Sequence, residues 1–278
     1  MKSNFMKGID IVIPVHKYDD NVKALLTRCL ESLKGTAEIA NVEGIDTNVL
    51  VVGKSLSSDE IMNLVDWKDV FKNFNVVDNN SDDTDFCSQV NLAVKECKND
   101  YFMVVEYDDM VTPNWIKTSL PYIAEKKKTS VFLPLVEVYD INKPETPISY
   151  INEIGWSSSF AENELGCLDL DALKEYCNFN LTGAIIKRNE FVKAGGLKPS
   201  IKLSFGYELL MRMANLYGDV FVIPKVGYFH FINRPDSLTA EYHRTMTQEE
   251  GAWWIKLAGQ EYHFKKDRNK TYTPGEEE

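Results

Sequence analysis

An α/β fold built on a mostly parallel sheet is the class this sequence predicts, and three observations predict it. Short runs of aliphatic and β-branched residues recur along the chain, segments with apolar residues at helical spacing alternate with them, and acids close one of the runs. The acidic run says most about chemistry. Tyr101-Phe102-Met103-Val104-Val105 has the composition of a buried strand, and Glu106, Asp108 and Asp109 crowd its carboxyl end ahead of Val111-Thr112-Pro113. Like charges so placed repel one another, and a bound divalent cation is the usual device that makes the group tolerable; a solvated acidic turn gives the same string. Mg2+ or Mn2+ suits carboxylate oxygens, and ligands of open sheets gather beyond the carboxyl ends of strands.

At 278 residues the chain has room for one large α/β domain with a small appendage, and 44% hydrophobic content supports a full core. A net charge of −11 with a pI near 5.0 argues against a broad phosphate-binding surface, while leaving room for a local basic channel. Five cysteines without a CxxC pair point to reduced thiols. No apolar stretch of membrane-spanning length and no signal-peptide core occur, so a soluble, cytoplasmic protein is expected.

The elements follow in order. Ile9-Asp10-Ile11-Val12-Ile13-Pro14-Val15-His16 reads as a buried first strand, with Lys17-Tyr18-Asp19-Asp20-Asn21 supplying turn and N-cap. Leu25, Leu26, Cys29, Leu30 and Leu33 predict a helix over 22–33, stopped by Gly35. A second strand is expected over 48–53, a helix over 58–70, a third strand over 74–78, a polar loop over 79–84 and a helix over about 85–98. Beyond the acidic strand come a helix over 115–125, a strand over 130–140 and a looser stretch, 141–165, containing Trp156 and having the character of a lid or binding loop. Then follow a strand over 180–186, a short helix over 188–194 broken at Gly195-Gly196, an amphipathic helix over 206–218 and a strand over 220–224. The tail from 245 predicts a helix around Trp253-Trp254 and a disordered acidic end. This alternation specifies right-handed crossovers and a Rossmann-like layout.

Taken in order, these segments resemble the family 2 type of GT-A glycosyltransferases, which take sugars from nucleotide-sugar donors. The matching pieces are Ile11 to His16, Val77-Asp78-Asn79-Asn80-Ser81-Asp82-Asp83-Thr84, and Glu106-Tyr107-Asp108-Asp109 as the DxD-type motif. Leu181-Thr182-Gly183-Ala184 with Phe191 to Leu197, Tyr207-Glu208 through Arg212, and Tyr228-Phe229-His230 to Thr239 complete the set. The resemblance implies a GT-A domain over 1–244, Rossmann-like with a mostly parallel central sheet and flanking helices. Residues 9–113 form its nucleotide-binding half, 114–244 its acceptor and catalytic half, and 245–278 an appended helix and tail.

The resemblance also implies inverting, metal-dependent transfer from a nucleotide sugar, a UDP-sugar foremost. Asp108, Asp109 and His230 would hold Mn2+ or Mg2+. Pro14, Val15, His16, Asp78, Asn79 and Glu106 would contact the nucleotide, and Arg234 its diphosphate. Glu208 would take the acceptor's proton, although only one acid stands where the family has Glu-Asp. Trp156 would stack on the acceptor, which is an envelope glycan or lipid, or a hydroxymethylated DNA base. By residue chemistry alone Glu208 equally suits a helix's first turn, His230 a structural histidine and Trp156 a core aromatic. The departures at Glu106 and Tyr207-Glu208 keep a catalytically silent GT-A fold, binding nucleotide or glycan, as the alternative.

Overall fold

The computed structural model describes residues 6–155 and 164–260, except the side chains at 238, 239 and 243. In chain order the elements are β1 (Gly8–Val15), α1 (Asp20–Val42), β2 (Asp46–Gly53), α2 (Ser58–Met62), β3 (Asn73–Asp78), α3 (Phe86–Glu96), β4 (Tyr101–Val104) and β5 (Met110–Val111). They continue as α4 (Trp115–Glu125), β6 (Val131–Asp140), β7 (Ser149–Ile151), β8 (Cys167–Leu168), α5 (Leu170–Glu175), β9 (Ile185–Lys187), α6 (Arg188–Ala194), α7 (Phe205–Tyr217), β10 (Val220–Ile232), α8 (Leu238–Thr245) and α9 (Gln248–Ala258).

The sheet runs β3-β2-β1-β4-β9-β6-β10-β5. β1 pairs in parallel with β2 and β4, β2 with β3, and β6 with β10, while short β9 lies antiparallel between β4 and β6. Two antiparallel steps restore direction, so the carboxyl ends of β1, β4, β6 and β10 share one edge. Every residue of β1 is buried because helices cover both faces, which is why it reads as a continuous apolar run. One core joins α1 and α4 to the sheet, and the other joins α3, α5, α6 and α7 to its opposite face. At the far edge Asp10, 1% exposed, accepts from Asn48 Nδ2, from the backbone N–H groups of Lys98 and Asn99, and from Asn99 Nδ2, all within 2.9 Å. Four donors make that buried carboxylate tolerable and tie β1 to the chain entering β4.

Four expectations change. Gly35 does not stop α1: Thr36, Ala37 and Ala40 continue the buried stripe, and the chain turns at Gly44, where φ is 80°. A Cβ on Gly35 would meet nothing nearer than Pro113 at 3.9 Å, so Gly35→Ala is expected to raise stability by about 0.5–1 kcal/mol in urea unfolding. α2 ends at Met62, after which Val65 and Phe71 are buried through a turn, with Trp67 edge-on to Phe74. The strand expected over 180–186 pairs only from Ile185, because Gly183 turns at φ 74° with its N–H donating to Val104 O. β10 runs on to Ile232 through register shifts around Pro224, so Tyr228 and His230 lie within a strand. Trp156 and the acidic tail lie outside the described residues.

Candidate active site

The acidic run leaves β4 and turns at once. Val105 N–H donates to Val12 O at 2.9 Å, Asp109 N–H closes the turn on Glu106 O at 3.1 Å, and β5 then pairs with β10. Glu106 N–H donates to the hydroxyl of buried Tyr228 at 3.0 Å, so the turn is clamped between β1 and β10. Beneath it, Arg28 of α1 donates to Asp108 O and lies 4.2 Å over the Phe231 ring.

Asp109 is fully buried, its Oδ1 accepting from Phe231 N–H and its Oδ2 facing His230 Nδ1, each at 2.8 Å. Burial pulls the His230 pKa down, but Asp109 overrides it and the imidazole is pushed up to about 10. Burial and then Asp109 push Glu106 up to about 8, and the same two causes bring Asp108 to about 6 against the pull of Arg234. Arg234 pairs with Asp108 at 3.2 Å and donates to Tyr107 Oη at 2.8 Å.

Glu106, Asp109 and His230 offer ligand atoms all within 4.8 Å of one another, a hard oxygen and imidazole set that fits one divalent ion of the Mn2+ type. A cation must displace the protons on Glu106 and His230. Raising the pH removes those competitors, so Mn2+ affinity is expected to rise from pH 6 to pH 8, by at most about tenfold per unit for each proton displaced. Calorimetry in two buffers of different ionisation enthalpy measures the protons released.

Above this floor lies a cleft of about 470 Å³, within the range of small-molecule sites. It is lined by Pro14 and His16, by 179–182 and 204–207, and by 230–234 with Tyr242. His16 stands 6.1 Å from the Tyr107 ring and 6.4 Å from Phe86. His16 keeps an exposed edge, but desolvation by the side chains packed around it, with the charge of Arg234, lowers its pKa and favours the neutral imidazole, which both donates and accepts.

Of the residues singled out from sequence, Pro14, His16, Glu106, Asp108, His230 and Arg234 line the cleft, and Asp109 stands directly behind. Val15 does not: its side chain is in the core and its N–H donates to Gln89 Oε1. Asp78 and Asn79 are also away from the cleft lining, since β3 lies two strands out from β1. Asp78 accepts from Ser55 N–H, and Asn79, 2% exposed, is used up by Gly53 O, Ser81 and Asp83 O in shaping its own loop.

Glu208 departs furthest from expectation. It is fully buried near the start of α7, and Arg212 reaches both carboxylate oxygens at 2.9 and 2.8 Å while Lys198 Nζ lies 2.9 Å from Oε1. Arg212 also donates to Ala194 O and Gly196 O, fixing α6 to α7. Glu208 is absent from the cleft lining, so in this arrangement its carboxylate faces two cations rather than an acceptor. Sequence reasoning missed Tyr107, Tyr228 and Arg28. Of these only Arg28 carried a signal, an arginine directly preceding Cys29 and Leu30 of the apolar stripe.

The family model described as Glycosyl transferase family 2 matches residues 10–179. No curated protein sequence matches the chain. Among solved structures, S. aureus TarS 1–349 in complex with UDP-GlcNAc is similar at 14% identity and a TM-score of 0.62, over 91% of this chain and 65% of that one. The mannosyltransferase PcManGT from Pyrobaculum calidifontis, in complex with GDP-Man and Mn2+, is similar at 10% identity and a TM-score of 0.60, over 92% and 64%. GalNAc-T7 with UDP, GalNAc and Mn2+ is similar at 11% and 0.57, over 83% and 45%. At these identities the likeness is one of fold, and the chain spans less than two thirds of each of these three chains.

Proposed function

The chain belongs to glycosyl transferase family 2 and has the GT-A fold, and from that premise we propose that it moves a sugar from a nucleotide-sugar donor to an acceptor hydroxyl. One observation carries the proposal: Glu106, Asp108, Asp109, His230 and Arg234, drawn from the ends of β4 and β10, converge at the floor of a single cleft. Glu106, Asp109 and His230, with Asp108 beside them, would hold the cation, which would supply positive charge against a departing diphosphate. Mn2+ is favoured over Mg2+ by the imidazole in the donor set. His16 and Pro14 border the nucleoside, Arg234 meets the diphosphate through its planar fork of donors, and Tyr107 holds that guanidinium in place.

A UDP-sugar is the first donor to test, because two of the similar structures hold UDP or UDP-GlcNAc; a GDP-sugar is second. The acceptor is a glycan, a lipid or a hydroxymethylated DNA base, and the net charge of −11 weighs against the last. Transfer is proposed to invert the anomeric centre. Glu208 is paired with Lys198 and Arg212 behind the cleft, which leaves Glu106 and Asp108 as the only carboxylates among the described residues that line it. That arrangement favours one second reading, donor binding without turnover.

A thermal-shift screen of nucleotide sugars with and without Mn2+ tests the proposal. A UDP-sugar at 100 times its Kd is expected to add about 2.7 kcal/mol of stability, only with Mn2+ and not in Asp108→Ala. No shift with any nucleotide sugar would overturn it, and a shift without release of UDP would support the second reading.

A further inference from the structure

Beyond the acids, β6, β7 and β10 continue together, and among the described residues one of their faces is left uncovered by any helix. Along β6, Val136 and Val138 are buried while Glu137 and Tyr139 are half-buried, the alternation of a sheet with one covered face. Register places Glu137 opposite Phe229 of β10 and Tyr150 of β7, and Tyr139 opposite Phe231, so these five side chains fall on one side of the strands, with the Phe231 ring already in contact with Arg28. Tyr139 stacks on Phe231 with centroids 5.6 Å apart and planes at 27°, and meets Phe229 edge-on at 5.6 Å. Its hydroxyl donates to Glu137 Oε2 at 2.7 Å. Tyr150 at 38% and Ile148 at 55% exposure extend the surface outward.

Phe231 also lines the cleft, and its N–H donates to Asp109, so this surface joins the acidic floor without a break. We propose that the face formed by Tyr139, Tyr150, Phe229, Phe231 and Glu137 binds the acceptor, as a chain of uncharged sugars leading into the cleft. Sugar rings present flat C–H faces that pack on aromatic rings, and hydroxyls that pair with a carboxylate or a phenol. Tyr139, Tyr150 and Phe229 around the Glu137 carboxylate supply both, and Phe231, stacked by Tyr139 and covered by Arg28, joins them to the cleft. Glu137 at the centre, in a chain of net charge −11, repels a phosphate backbone, so a neutral glycan fits this surface and DNA or a phosphate-linked polymer does not. The inference rests on the proposed transfer activity and names the acceptor class for it.

The test uses the full chain on an array of neutral and anionic glycans, with a single-stranded DNA oligonucleotide in parallel and each hit titrated by calorimetry. A neutral glycan is expected to bind, with affinity falling roughly three- to tenfold in Tyr150→Ala and again in Glu137→Gln, while UDP binding with Mn2+ is unchanged in both. Tyr150 is on the surface, so its variant is expected to fold. Absence of any neutral hit, a hit insensitive to Tyr150→Ala, or preference for anionic glycans or DNA would overturn the inference. Failure of the wild type to bind UDP would count against the donor assignment instead, since the glycan titration needs no donor.

Discussion

Glu208→Ala is expected to destabilise the domain by about 3–5 kcal/mol, a large share of the net stability of an ordinary domain, because it strands two buried cations. Arg212 is 2% and Lys198 3% exposed as side chains, and both direct their charge at the Glu208 carboxylate. Glu208→Gln keeps the shape but removes the negative charge, so it too is expected to cost more than about 1 kcal/mol in urea unfolding. The size of that cost separates two roles. A residue that only accepts a proton from an acceptor would leave stability intact in Glu208→Gln and lose turnover alone. A residue that holds α6 against α7 loses stability first, and the folded fraction retains UDP binding.

Asp109→Asn carries the second large effect. Asp109 holds His230 Nδ1 and Phe231 N–H from a fully buried position, and it is also a candidate ligand. An amide still accepts from Phe231, but it removes the charge that keeps His230 oriented and protonated in the metal-free protein. Mn2+ affinity is therefore expected to fall about 10- to 100-fold, and nucleotide-sugar turnover with it, as read by calorimetry and by UDP release. His230→Ala should reproduce much of the loss, and the double variant should cost less than the sum, since the two residues act through one contact.

The sheet's parallel half was legible because buried parallel strands read as unbroken apolar runs and their crossover helices carry regular stripes; 9–15, 48–53 and 101–104 need no tertiary information. The floor of the site was legible for the same reason, as acids placed directly after an apolar run have one position in a sheet of this kind. What could not be read was set by long-range packing. Gly35 looks like a stop until the partner surface of α1 is known, and the extent of β10 past Pro224 depends on bulges that β6 absorbs. Asp78 and Asn79 resemble nucleotide contacts in their string, yet strand order alone carries them to the margin. The surroundings of Glu208 could not be read because a carboxylate near the start of a helix looks the same in sequence whether it faces a cleft or, as here, Lys198 and Arg212.

The central claim is that the carboxyl ends of β4 and β10 build one cation and diphosphate site. Anomalous diffraction from crystals grown with UDP and Mn2+ tests it most directly. A single manganese peak bonded to groups among Glu106, Asp108, Asp109 and His230, with the diphosphate beside it and against Arg234, is the predicted result. Manganese bound elsewhere, or UDP seated with its diphosphate away from Arg234 and the acids, would contradict the claim.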